Sequence, residues 1–428
     1  MILHVACLPF PSYQGTQAAL AAMLEASAGT GRPTHVLTYA QAAYPLDAPY
    51  EVHRIPDFPK VRSLRSGPSW GKIGLDVRCV IETRRLARRI QPTAIVAHHI
   101  EAAFAALAAQ VAPVYYVAHT CLARELPVYL PSLPTRLVSG VAQQLEAIVC
   151  ARAAGVAAVA PSLADLLGRG VRYLPVPWAA SAALRPTRSE ARATLGLPAD
   201  AHICLYAGNL DHYQGWEHLI EALPILRHTD PRARLLVATE SDPAPAGRRA
   251  KRLRVSDFVH FCRIDGERAR QLVHAASDLT WVPRRTEGGL PIKMLDAFAR
   301  ELPVVAMERA TAALAVKDAC IAVPDDDPSS LANAARRLFE DDRAAAAVTQ
   351  GARRYLATHH STEAYAAAMG ELCGLAPPGE HALSTYAPTG LLLDPNRTQQ
   401  VPFSSQLALE EQHGRPLGRI TLTRSKTR

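Results

Sequence analysis

What this 428-residue chain lacks narrows what it can be. No apolar run is long and uninterrupted enough for a bilayer: the best candidate, 102–118, is rich in Ala rather than Leu and is broken by Gln110 and Pro113. The eight cysteines, at 7, 79, 121, 150, 204, 262, 320 and 373, form no C-x-x-C pair. That speaks against a zinc site or a disulfide framework and for a reducing cytoplasm. Aromatic residues make up 6% of the chain and do not interleave with its basic cluster, so no nucleic-acid partner is expected. The fingerprint G-x-G-x-x-G is missing, which weakens a dinucleotide-dehydrogenase reading. The opening MILHVACLPFP has no basic leader region and runs directly into a strand pattern, so no signal peptide is expected.

What is present is aliphatic, Ala-rich and 20% charged, a globular balance in a chain long enough for two or three domains. The formal charge of +8 is unevenly placed. Residues 1–185 hold 17 Lys/Arg against 10 Asp/Glu, and nine of the seventeen lie between Lys60 and Arg89. Arg84, Arg85, Arg88 and Arg89 would share one face of a helix. Such a face is either a solvated surface or a grip on an anionic membrane, worth roughly 1 kcal/mol per basic residue near the headgroups.

Along the chain, apolar runs alternate with helical patterns. Leu3–Leu8, Thr34–Tyr39, Ala94–His99 and Val114–Thr120 read as strands, with a glycine loop at Gly15 before an Ala-rich helix. Residues 45–75 are proline-rich and read as irregular, and Leu75–Ile90 reads as a helix. Beyond a linker at 181–189, HICLYAGNLDHYQGWEHLIEALPIL restarts the strand, glycine loop and helix pattern. The boundaries drawn are 1–185, 186–358, a C-terminal helix at 359–374 and a mobile tail from 375, which lacks sustained periodicity. The fold class is therefore α/β, two Rossmann-like doubly wound parallel sheets facing a cleft. Ligands bind such sheets at the carboxyl ends of strands, where His98, His99 and His119 fall. A histidine there can donate to a ligand hydroxyl or move a proton near neutral pH, and the bland alternative is a structural strand-end histidine. Adjacent His98 and His99 point to opposite faces of a strand and cannot share an ion, so no metal site is expected. His359 and His360 read as incidental.

The stretch that organises the chain is TEGGLPIKMLDAFARELP, 286–303. Gly288 and Gly289 permit a tight turn and close approach to a ligand, Pro291 suits the first helical position, and the first-turn amides make an anion site. EGGLPIKMLDAFARELPVVA resembles the nucleotide-sugar signature of the retaining glycosyltransferases of family 4, which adopt the GT-B fold. GNLDHYQG, 208–215, resembles that family's phosphate-gripping loop, and AHT, 118–120, gives weaker support. The resemblance implies that Glu287 lies beside the donor sugar with His119 near it. Gly288, Gly289 and Leu290 would bring amides to the sugar and diphosphate, and Gly208, Asn209, Gln214 and Gly215 would flank the phosphates. Gly15 would approach the donor or the acceptor, backbone near Arg263 would meet the base, and Asp296 would hold the ribose.

Two departures stand out. The family's second glutamate has no counterpart at 295, which is Leu, leaving Asp296 as the nearest later carboxylate. The loop cations common in the family are replaced by Asn209 and Gln214, so Lys293, Arg284 or Arg285 would have to supply positive charge. The implied activity is metal-independent, retaining transfer from a UDP or GDP type nucleotide sugar, without a further cofactor, to a lipid or glycan acceptor. Alternatives are a GT-B epimerase and a non-catalytic nucleotide-sugar-binding subunit.

Overall fold

The computed structural model describes residues 1–12, 14–57, 70–130, 132–180, 186–264, 266–286 and 289–375. Lys60, Arg62 and Arg65 of the basic region, part of the linker and the tail from 376 lie outside them. The first half runs β1 (Ile2–Ala6), α1 (Gly15–Gly29), β2 (Thr34–Thr38), β3 (Glu51–Arg54), α2 (Trp70–Ile90), β4 (Ala94–His98) and α3 (His99–Ala109). It continues with β5 (Val114–Ala118), α4 (Leu122–Tyr129), α5 (Thr135–Arg152), β6 (Gly155–Ala158), α6 (Pro161–Leu167) and β7 (Arg172–Tyr173). Its seven strands are all parallel, in the order β3-β2-β1-β4-β5-β6-β7.

The second half starts with α7 (Arg188–Leu195), β8 (His202–Ala207), α8 (Trp216–Thr229), β9 (Ala233–Ala238), α9 (Ala244–Arg252), β10 (Val259–Cys262) and α10 (Glu267–Ala276). Then come β11 (Leu279–Val282), α11 (Ile292–Ala299), β12 (Val304–Met307), α12 (Glu308–Leu314), β13 (Ile321–Val323), α13 (Pro328–Glu340), α14 (Asp342–His359) and α15 (Thr362–Cys373). Six parallel strands are ordered β10-β9-β8-β11-β12-β13. Each sheet reverses its winding once, at β1/β4 and at β8/β11, and such switch points open a crevice at the strands' carboxyl ends.

The central strands ILHVA, THVLT and AIVAH are buried along their whole length, because helices cover both faces of a parallel sheet. One apolar cluster packs the outer side of the first sheet around Leu3, Ile95 and Tyr116. Another packs the second sheet around Tyr206, Trp281 and Leu331. A third runs between the halves, joining Met23 and Val96 to Phe298, Leu356 and Tyr365.

Four readings of the sequence need correction. The proline-rich stretch contains β3, an edge strand whose side chains EVHR are mostly polar and partly exposed, which hides it from an apolar-run search. Helix α2 starts at Trp70 rather than at Leu75. The C-terminal stretch that reads as one helix over roughly 343–374 is two, broken at His360, with Ser361 Oγ accepting the Ala364 amide to cap α15. His360 is not incidental: it is 1% exposed, its carbonyl accepts the Trp178 amide (2.9 Å), and its Nδ1 donates to the Val176 carbonyl (2.6 Å). Helix α15 packs on α1 and β6 of the first half, with Tyr365 Oη 2.9 Å from Ser27 Oγ.

Candidate active site

The two switch points bring the glycine loops of both halves together. Gly15 opens α1 just beyond β1, and a Cβ added there would lie 3.5 Å from Ile292, the first residue of α11. Gly208 follows β8 and lies so close to Lys293 that an added Cβ would stand 3.0 Å from Nζ. Gly215 turns the loop back with φ +67, where an added Cβ would meet the Pro283 carbonyl oxygen at 1.9 Å, so only glycine fits. Gly289 has φ +76 and faces the first half, its added Cβ falling 3.1 Å from the His119 carbonyl oxygen. Glu287 and Gly288 lie outside the described residues. Leu290 is half-buried and packs against the central cluster. Pro291 caps α11 rather than filling its first position, and the Ile292 amide is spent on the Leu290 carbonyl.

Lys293 is the charge at the centre. Its ammonium donates to Gln214 Oε1 at 2.6 Å and to Tyr206 Oη at 3.4 Å, and lies 4.4 Å from the Tyr206 ring centroid. Burial lowers its pKa from 10.5 to about 7, with Arg284 pushing in the same direction. Arg284 Nη1 donates to the Gly289 carbonyl at 3.1 Å. Two cations held at one strand end form a positive focus of the kind that suits a polyanion. Arg285 turns away toward α8, bonding His218 and His212 and pairing with Glu217, so of the two arginines it is Arg284 that serves this turn. Asn209 gives its backbone carbonyl to Tyr206 Oη, while its side-chain Oδ1 is buried without a partner.

Asp296 sits one turn further along α11, facing α10. Its oxygens lie 3.2 Å from Arg300 Nε, 3.4 Å from Arg270 Nη1 and 3.6 Å from His274 Nε2. Burial alone would raise its pKa, but Arg300, Arg270 and His274 outweigh it and hold the carboxyl at about 2. Helix α10 begins just after exposed Arg263, which follows β10, so Asp296 and Arg263 flank one corner of the second half.

On the other wall, three buried histidines are linked in series. His4 Nδ1 and His98 Nε2 are 2.9 Å apart, and His98 Nδ1 and His119 Nε2 are 3.0 Å apart. His99 does not continue the strand: it takes φ +68 at the start of α3, so its ring stacks on His119 at 4.6 Å instead of pointing away. Burial lowers the pKa of His4, His98 and His119. They are neutral near pH 7, able to donate or accept a hydrogen bond but not to act as cations. His4 and Tyr206 went unnoticed in the sequence. Their only signal is that each sits on a strand next to a switch point.

Residues 201–341 match the family model described as "Glycosyl transferases group 1". Curated relatives include the D-inositol 3-phosphate glycosyltransferases of Saccharomonospora viridis, 30% identical over 40% of this chain and 42% of the relative, and of Streptomyces griseus, 31% identical over 48% and 46%. The matches thus span less than half the length of these relatives. Among solved structures, sucrose-phosphate synthase from Thermosynechococcus elongatus aligns with a TM-score of 0.70 at 20% identity, covering 87% of this chain and 98% of the other. Anabaena HepE in complex with UDP-glucose aligns with a TM-score of 0.66 at 17% identity, covering 87% and 99%. WaaG, a glycosyltransferase involved in lipopolysaccharide biosynthesis, aligns at 0.62 and 17%, covering 87% and 100%. The fold is GT-B.

Proposed function

Starting from a GT-B chain whose residues 201–341 match the group 1 glycosyl transferases, we propose that this protein transfers a sugar from a nucleotide-diphosphate donor, UDP-linked first, to an acceptor with retention of configuration. The observation that carries this reading is the convergence of Gly208, Gln214, Gly215 and Lys293 with Gly289 and His119 at the two switch points. In it, Lys293 and Arg284 face the diphosphate and offset the charge that develops on it as the glycosidic bond breaks, a task that a metal ion performs elsewhere. The transfer is therefore metal-independent. Glu287 supports the sugar, His119 donates to a sugar hydroxyl as a neutral imidazole, and the departing phosphate takes the acceptor's proton. Asp296 orders the ribose corner through Arg270 as much as by direct contact. HepE, whose solved complexes hold UDP and UDP-glucose, supports the choice of base.

A melting series with UDP, GDP, ADP, dTDP and their sugars tests the donor. A nucleotide at 100 times its dissociation constant adds about 2.7 kcal/mol of apparent stability, a shift of several degrees. UDP is expected to give the largest shift, and no shift with any nucleotide would overturn the reading. Donor breakdown that depends on acceptor separates transfer from epimerisation.

The acceptor is proposed to be lipid-linked, approached from an anionic bilayer. Helices α2, α3 and α5 lie side by side on one face of the first sheet. Arg84, Arg85, Arg88 and Arg89 are exposed on α2, and the first three line a cavity of about 470 Å³ with Ile81 and Ala108. On the far side of α3 from them, α5 exposes Leu137, Val141, Leu145 and Ile148, spaced one turn apart, at 36–62% accessibility. Apolar residues on the same side of the sheet as exposed arginines suit insertion under acidic headgroups. The protein is expected to co-sediment with phosphatidylserine vesicles and not with phosphatidylcholine vesicles, and Arg84→Glu/Arg88→Glu should abolish the difference. Among the described residues no helix is long and apolar enough to cross the membrane.

A further inference from the structure

At the edge of the first sheet three donor atoms converge that the proposed transfer does not use. Strand β3 pairs with β2 in a register that sets Glu51 opposite His35 and His53 opposite Leu37. Residues 51 and 53 are two apart on a strand, so both side chains rise on the same face as His35. His35 Nδ1 lies 3.0 Å from His53 Nε2 and 3.3 Å from Glu51 Oε2, and His53 Nε2 lies 3.6 Å from the same oxygen. The mean edge of this triangle is that of a tetrahedron around an ion with bonds of 2.0–2.1 Å, about 3.3 Å.

We propose that His35, Glu51 and His53 bind one divalent transition-metal ion, Zn²⁺ foremost, with solvent completing the fourth position. A hydrogen bond accounts for only part of the arrangement. If His35 donates along the 3.0 Å edge, the His53 lone pair accepts it, and the Glu51 oxygen is left 3.6 Å from that same acceptor nitrogen. An ion satisfies all three lone pairs at once. Imidazole and carboxylate suit Zn²⁺, Ni²⁺ or Cu²⁺ better than Mg²⁺ or Ca²⁺, which prefer all-oxygen shells. The His35 side chain is 8% exposed, His53 20% and Glu51 70%, so the histidines are held by packing while the open side admits the ion and its water. The Arg89 charge of α2 acts on His53 and opposes the ion, while the Glu51 carboxylate offsets it.

His35 is the second residue of its strand and Glu51 the first of its own, so the site lies toward the amino ends of the strands, away from the cleft. The ion would act on the sheet and not on the transfer. It would fasten β3, which among the described residues is paired on one side only, to β2. This inference does not depend on the glycosyltransferase reading.

Calorimetric titration of the full chain, stripped with EDTA and exchanged into chelator-free buffer, tests it. One Zn²⁺ per chain is expected, with no competition from millimolar Mg²⁺ and a higher melting temperature in the loaded protein. Loss of outer-shell partners alone weakens metal sites about 10–100-fold, so His53→Gln and Glu51→Gln should each weaken Zn²⁺ at least about 10-fold. Their melting temperatures without metal should match the parent's. If His53→Gln fails to fold, Glu51→Gln, which alters an exposed carboxylate, carries the test. Absence of saturable binding, or binding unchanged in Glu51→Gln, would overturn the proposal.

Discussion

Replacing Lys293 by methionine is expected to lower kcat/KM for sugar transfer on the order of 10²–10³-fold, the cost of removing one fixed donor from a site of developing negative charge. The reason is local. Position 214 of the phosphate loop is Gln, and its Oε1 is turned to the Lys293 ammonium, so the loop offers Lys293 an acceptor and supplies no Lys or Arg of its own. The same substitution should make the ligand-free protein more stable. Burial and the nearby Arg284 lower the lysine's pKa from 10.5 to about 7, so the charged form is penalised only in the folded state. Between about pH 7 and 10.5 the unfolded chain binds more protons than the folded one, and this part of the stability rises with pH. Below pH 7 both states are protonated and the penalty is complete. The melting temperature of Lys293→Met should therefore exceed the parent's most at pH 6 and approach it near pH 10. A parent-like turnover would remove Lys293 from the mechanism, and an unchanged melting profile would show that its charge is not buried.

Asp296→Ala is expected to cost about 3 kcal/mol or more of stability. Removing one partner of a buried ion pair costs roughly 3–5 kcal/mol, because the remaining charges stay buried. Here Arg270 and Arg300 would be left, each 11% exposed or less. Glu267 still pairs with Arg300 at 2.9 Å and lies 3.9 Å from Arg270, which favours the lower end of the range. For a unit of this size the loss is a fall in melting temperature on the order of 10 °C. The pH dependence has the same sign as that of Lys293, stability rising with pH, but it lies in a lower window and reflects a stabilisation gained rather than a penalty relieved. The Asp296 carboxyl is held at about 2, below its unfolded value, so its contribution is complete above about pH 4 and disappears as pH falls through 2. Chemical denaturation of parent and variant should differ at pH 6 and converge near pH 2. A variant as stable as the parent at pH 6 would show that the arginines find solvent. Its donor affinity then reports separately on the ribose.

The contrast between these two residues shows what a linear sequence can reveal. Central strands such as ILHVA and AIVAH were legible because a parallel sheet buries both faces and leaves an unbroken apolar run. The glycine loops were legible because residues such as Gly215 occupy positions that admit no other side chain. Strand β3 was not, because an edge strand carries polar residues and sat among prolines. Nor was the break at His360, since helical pattern continues on both sides and Ser361 is its only local mark. Two partners of Asp296, Arg270 and His274, come from α10, more than twenty residues away, and the His4, His98 and His119 series comes from three strands or their ends. The His35, Glu51 and His53 cluster depends on one register between two strands. Such groupings are properties of pairing and packing, and a one-residue slip would dissolve each of them.

The pinning of His360 to Val176 and Trp178 has a mechanical consequence. Among the described residues, the segment ahead of α7 and the segment between α14 and α15, where the chain moves between its two halves, are bonded side by side. Two bodies joined by a single strand can swing and twist in any direction. Two joined by a pair of strands riveted together turn mainly about one axle, as a door does on two hinges. A closing motion about that axle would carry Gly289 to His119, which stand together here, along one arc.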